Sequence, residues 1–123
     1  MVSIMIVMKE NRMSLDVGLY YEVEPNKKSY VFEANITHNL WKMADKAGIY
    51  YHLWRPEEAN ITQAKELIEP IEKGLQDMKN RREYYEQFNS PNGYGLYEHF
   101  VPWIEEYLNA CKEYPNANIF ISR

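Results

Sequence analysis

Between residues 15 and 24 the chain alternates without a break: Leu15, Val17, Leu19, Tyr21 and Val23 are separated by Asp16, Gly18, Tyr20, Glu22 and Glu24. Successive side chains of a strand point to opposite faces, so a period of two predicts a strand with one buried and one solvated face. Pro25-Asn26-Lys27-Lys28 supplies turn chemistry, and Tyr30, Phe32, Ala34 and Ile36 then alternate with Val31, Glu33 and Asn35 as a second strand. Together they read as an antiparallel hairpin. A two-stranded sheet is marginal in water, so the rest of the chain has to supply a third strand and a covering layer.

Beyond residue 36 the apolar period becomes helical. Thr37 stands where an N-cap is needed, with Ile36 and Trp41 spaced as a hydrophobic staple. Leu40, Met43, Ala44 and Ala47 share one face of this first helix, and Gly48 ends it. After an aromatic connector over residues 49–55, Asn60 and Gln63 form a capping-box pattern that opens a longer helix. That helix carries Ile61, Leu67, Ile68, Ile71, Leu75 and Met78 along one face, and Pro70 is expected to kink it. Asn80 with Glu83 repeats the capping pattern ahead of a short helix bearing Tyr84, Tyr85 and Phe88. The last helix aligns Leu96, Phe100, Ile104, Tyr107, Leu108 and Cys111, with Pro102 as a bend or restart and Pro115 closing it. Residues 117–122 read as a terminal strand that should pair beside the hairpin. The order β-β-α-α-α-β predicts one α+β domain over residues 13–123, a small antiparallel sheet packed against three to four helices. Met13-Ser14-Leu15 reads like a second start, which makes residues 1–12 an extension. Otherwise Val2 to Met8 would be an extra apolar strand that needs cover on both faces or a partner chain.

Composition excludes several functions. With 14 Lys and Arg against 18 Asp and Glu, the formal charge is −4, which disfavours nucleic acid as a partner because a basic face is needed to displace counterions. The lone Cys111 rules out an intramolecular disulfide, fits a reducing compartment, and sits on an apolar helical face as a buried thiol rather than a nucleophile. No stretch approaches the ~20 apolar residues of a membrane span, and Met1 to Met8 lacks the basic leader and cleavage site of a secretory signal, so a cytoplasmic location is expected. His38, His52 and His99 have no partner histidine four residues away and there is no Cys-x-x-Cys pair, so neither a metal nor a cofactor is expected. The acidic residues Glu57, Glu58, Glu66, Glu69, Glu72, Glu105 and Glu106 fall mostly on solvated helix faces, which gives no paired-carboxylate site.

Three polar segments remain. Asn35, Thr37, His38 and Asn39 crowd a helix start; Trp54 and Arg55 end the aromatic connector; Asn92 and Tyr94 belong to the Asn92-Gly93-Tyr94-Gly95 turn. Amides at helix starts and beside glycines favour phosphate or carboxylate groups, Arg55 could add a bidentate contact, and Trp54, Tyr50, Tyr51 or Tyr94 could stack on a planar ring. Each piece also has an ordinary structural role as cap, connector or turn. Only convergence in space would make them one pocket. The glycine turn matches neither Gly-x-Gly-x-x-Gly nor a Walker sequence.

The runs Ala34-Asn35-Ile36-Thr37-His38-Asn39-Leu40, Leu53-Trp54-Arg55-Pro56 and Ser90-Pro91-Asn92-Gly93-Tyr94-Gly95-Leu96 resemble those of a family of short uncharacterised proteins encoded in phages, prophages and bacterial genomes. The resemblance covers residues 13–123 and implies a small accessory protein, one role for which is counter-defence. The functional expectation is a non-catalytic binder of a small polar or nucleotide-like anion through Asn35, Thr37, His38, Asn39, Trp54, Arg55, Asn92 and Tyr94. The alternatives are an interaction module, either a homo-oligomer or a binder of a host protein, and a small hydrolase using His38 or His52 as base with Asn39 as orienting group.

Overall fold

In the computed structural model, which describes residues 14–123, the alternating segment is β1 (Ser14–Glu24). It is the middle strand of a three-stranded antiparallel sheet, with β2 (Lys27–Thr37) on one side and β3 (Asn118–Ser122) on the other. The predicted hairpin and its third strand are therefore both present, in an α+β fold. The reading of residues 1–12 lies outside the described residues.

Leu15, Val17 and Leu19 are buried on the inner face, each worth roughly 1.5–3 kcal/mol relative to exposure. Their cross-strand partners Ile36, Ala34 and Phe32 on β2, and Ile121 and Ile119 on β3, complete that face. The alternation outlasts the core, because residues 22–30 are all exposed and Val23 retains 59% of its surface. Asn26 adopts the left-handed conformation at the turn.

One side chain leaves the face expected for it. Leu19 faces Phe32 but Tyr20 faces Tyr30, so Val31 is an extra residue in β2, a bulge that reverses the inside-outside parity. Tyr30 consequently lies on the outer face over Gly18, where an added Cβ would stand 3.1 Å from its ring. Tyr20 and Phe120 pack against Tyr30 at centroid distances of 5.5 and 5.8 Å.

After β2 come a 3-10 turn (His38–Leu40), α1 (Trp41–Lys46), α2 (Tyr50–Trp54) and a second 3-10 turn (Pro56–Ala59). Then follow α3 (Lys65–Asn80), α4 (Arg82–Glu86) and α5 (Tyr97–Glu113). Gly48 ends α1 as expected, in the left-handed conformation at φ +76°, with Ile49 N–H donating to Ala44 O at 2.9 Å. That reversal lets residues 50–54 coil into a helix where a connector was expected. Helices α3 and α5 pack together, and the Tyr107 ring stacks on Phe32 at 5.8 Å.

The capping expectations at both later helices are corrected. Asn60 is left-handed and closes the second 3-10 turn; the carboxylate that caps the start of α3 is Glu66, which accepts from the amides of Thr62 and Gln63 at 3.2 and 3.1 Å. Asn80 is the last residue of α3 and accepts from Gln76, so it does not cap α4. Both α3 and α5 run continuously through Pro70 and Pro102. No helix among the described residues is long and apolar enough to cross a membrane.

Gly74 marks a close approach of α3 to the turn at residues 47–49, since a Cβ there would lie 2.5 Å from Ile49 Cγ2 and 3.0 Å from the Ala47 carbonyl. Overpacking costs ~1–3 kcal/mol, more than the ~1 kcal/mol of helix propensity that alanine restores. Gly74→Ala is therefore expected to lower the midpoint of thermal unfolding by several degrees, measured by circular dichroism.

Candidate functional site

The double pairing of β1 decides which residues can meet. Ser14 faces Thr37 on one side and Asp16 faces Ser122 on the other, so His38 and Arg123 both leave the sheet at the same end, with β1 between their strands. Adjacent strands lie ~4.8 Å apart, so the ends of β2 and β3 stand ~10 Å apart across β1, and two residues 85 positions apart in sequence border one recess. Helix α2 delivers Tyr50 and Trp54 to this end, and the following residue is Arg55. With Trp41 these side chains line a recess of about 330 Å³.

Its centre is a hydrogen bond from Trp54 Nε1 to His38 Nδ1 at 2.8 Å. An indole nitrogen only donates, so Nδ1 must present its lone pair and the neutral imidazole carries its proton on Nε2. Nε2–H makes no hydrogen bond among the described residues. Burial pushes the His38 pKa below its ordinary value, partly opposed by the negative field of Asp16. The indole bond acts in the same direction as burial, because only the neutral ring can accept it.

The guanidinium groups are held at the rim. Arg55 Nε donates to Tyr50 Oη at 3.2 Å and Nη1 to Glu58 at 2.8 Å. Arg123 Nη1 donates to the Trp54 carbonyl at 2.8 Å and to Glu57 at 3.0 Å. These exposed pairs contribute little stability, but they restrict where the arginines can go.

Trp54 itself is 2% exposed. Tyr50 stacks on it at 5.6 Å and 13°, and Phe100 meets it edge-on. The indole expected to stack on a ligand is thus spent inside the protein. The accessible ring is Trp41, 51% exposed, with its edge against Tyr50.

The other expected site residues hold the surrounding backbone. Thr37 Oγ1 accepts from Asn39 N–H at 3.3 Å, capping the 3-10 turn rather than a full helix. Asn39 Nδ2 donates to the Tyr94 carbonyl at 2.9 Å, and Gly95, at φ +111°, packs so closely that a Cβ would lie 3.0 Å from Asn39 Cβ. Asn92 accepts from Ser90 Oγ and Tyr94 N–H within its own turn, while the Tyr94 ring is 73% exposed. Asn35 donates to Asp16 across the strands. All three polar segments therefore meet at residues 38–39, but Asn35, Thr37, Asn39, Asn92 and Tyr94 are not among the residues that line the recess.

Two lining residues escaped the sequence reading as ligand contacts, Trp41 and Arg123. In the sequence Trp41 has the spacing of a staple, and Arg123 reaches the recess only through the pairing of β3. The one available signal was a cation directly after a predicted strand.

A larger groove, about 940 Å³, runs along α3 beside Gly48. Its borders include Glu69, Glu72 and Asp77 against the single cation Lys73, which suits no anion. Of the residues read as a hydrolase pair, His38 accepts from Trp54 through Nδ1 and the Asn39 side-chain amide donates to the Tyr94 carbonyl. Among the described residues no group of three His, Cys, Asp or Glu side chains is placed to hold a metal ion.

The His52 pKa is also lowered, chiefly by burial and against the Gly48 carbonyl. Unfolding returns His38 and His52 to the ordinary value of 6.5, so the unfolded chain binds more protons below it. The stability they contribute is complete above 6.5 and is lost as pH falls through their folded values. The midpoint of unfolding should decline from pH 7.5 to 5.5, and His38→Gln should make the decline shallower in a thermal-denaturation series. In comparisons with family models, curated proteins and solved structures, none matches the chain.

Proposed function

We propose that the chain is a non-catalytic binder of a small polar or nucleotide-like anion, and that the His38 recess receives it. One observation carries the reading: an N–H of fixed tautomer on His38 shares a recess with Arg55, Arg123 and the half-exposed Trp41 ring. Those groups offer donors to an anion and a face to a planar moiety. The fixed proton on Nε2 favours binding over general-base chemistry, because a base would need that lone pair. The resemblance to phage- and prophage-encoded proteins extends the proposal to an accessory role in counter-defence, in which the bound anion would be withheld from a host protein.

Ligand present at about 100 times its Kd stabilises the folded state by ~2.7 kcal/mol. A panel of nucleoside monophosphates and small carboxylates should therefore contain compounds that raise the unfolding midpoint by several degrees. Arg55→Ala and Trp41→Ala should lose that rise while the unliganded proteins stay folded, as both side chains lie at the surface. Equal shifts in parent and variants would overturn the assignment of the recess.

A second reading, a homo-oligomeric interaction module, is favoured by the outer sheet face. Helices pack on one face, while Tyr20, Tyr30 and Phe120 cluster over Gly18 on the other, and β2 has no strand beyond it among the described residues. A second copy paired antiparallel about the Tyr30–Val31 peptide would set Lys28 opposite Glu33 twice, on the outer face. Light scattering after size exclusion should then report a dimer at micromolar concentration that Glu33→Lys dissociates; a monomer throughout would remove this reading.

A further inference from the structure

We infer that the recess selects a singly charged ligand, a carboxylate carried on a planar ring, over nucleotide di- and triphosphates. This rests on the binding role proposed for the same recess and names its ligand class.

Charge is the first constraint. Arg55 and Arg123 each bond to a carboxylate, Glu58 and Glu57 respectively. Asp16 adds a further negative charge close enough to act on His38, and His38 contributes none while its Nδ1 accepts from Trp54. Two positive charges thus stand against three negative ones. A triphosphate entering this field would meet Glu57, Glu58 and Asp16 with too little positive charge to offset them, whereas a monoanion needs only one guanidinium edge.

Donor geometry is the second constraint. Arg123 bonds within the protein through Nη1, and its Nε and Nη2 make no hydrogen bond among the described residues. These two donors form the side edge of the guanidinium, whose parallel N–H groups match the two oxygens of a carboxylate. His38 Nε2–H supplies a neutral third donor. Trp41, with Tyr50 behind its edge, offers the only ring of the recess that is more than half exposed. The volume of about 330 Å³ lies at the small end of ligand sites, sufficient for a bicyclic acid.

Isothermal titration and thermal shift on the full chain at pH 7.5 and low salt would test this with indole-3-acetate, 4-hydroxybenzoate, acetate, AMP and ATP. Indole-3-acetate or 4-hydroxybenzoate should bind at least tenfold more tightly than acetate, AMP or ATP. Arg123→Lys, which keeps the charge and loses the fork, should weaken that binding at least tenfold. The pair Glu57→Gln and Glu58→Gln should shift the preference toward AMP. Tighter binding of AMP or ATP, abolished by Arg55→Ala, would overturn the ligand class and leave the recess as the site; so would ring-carboxylate binding indifferent to Arg123→Lys. Failure of all five probes to bind in a manner that depends on Arg55 would overturn the recess reading itself.

Discussion

Everything in this structure follows from β1 being bonded along both of its edges. A strand so placed turns Leu15, Val17 and Leu19 inward between two neighbours, which closes the inner face of the sheet and gives the helices one surface to pack on. The same pairing sets Thr37 and Ser122 at one end of the sheet, on opposite sides of β1. His38 and Arg123 emerge there, one on each side of β1. The recess is thus a by-product of strand register: a slip of one residue in either pairing would turn every side chain of that strand to the other face and dissolve both core and site.

At that end the hydrogen bond between Trp54 and His38 converts packing into chemistry. The indole is held on two sides by Tyr50 and Phe100, so its N–H has a fixed direction. Because it can only donate, it dictates which imidazole nitrogen keeps the proton. An apolar cluster thereby determines the polarity of the one histidine that lines the recess. The arginines are positioned by the same economy, Arg55 through the hydroxyl of Tyr50 and Arg123 through the carbonyl of Trp54.

Much of the architecture was legible from residue order. Period-two alternation located β1 and β2, Thr37 and Gly48 bounded the first helical segment, and the apolar stripes of α3 and α5 named core residues that are indeed buried, among them Leu67, Ile71, Phe100 and Ile104. Local rules failed where two local signals competed. Asn60 and Asn80 carry cap chemistry, but the first is used to reverse the chain and the second ends a helix, while Glu66 satisfies the open amides of Thr62 and Gln63 in place of Asn60. The bulge at Val31 was equally silent, since an inserted residue in a strand has no signature until its partner is known.

Residue order alone was enough for the hairpin, the third strand, the two long helices and the donor side chains on offer, though not for the helix over residues 50–54, because backbone dihedral preference, side-chain period and donor chemistry are properties of near neighbours. Tertiary structure alone decided that Trp54 is a buried prop and Trp41 the open ring, and that Asn92 and Tyr94 brace the turn at Asn39 instead of lining the recess. It alone brought Arg123 to Arg55 and His38. Those outcomes depend on which strand edges pair and which aromatic faces are already covered, and such contacts join residues too far apart along the chain for any local pattern to encode.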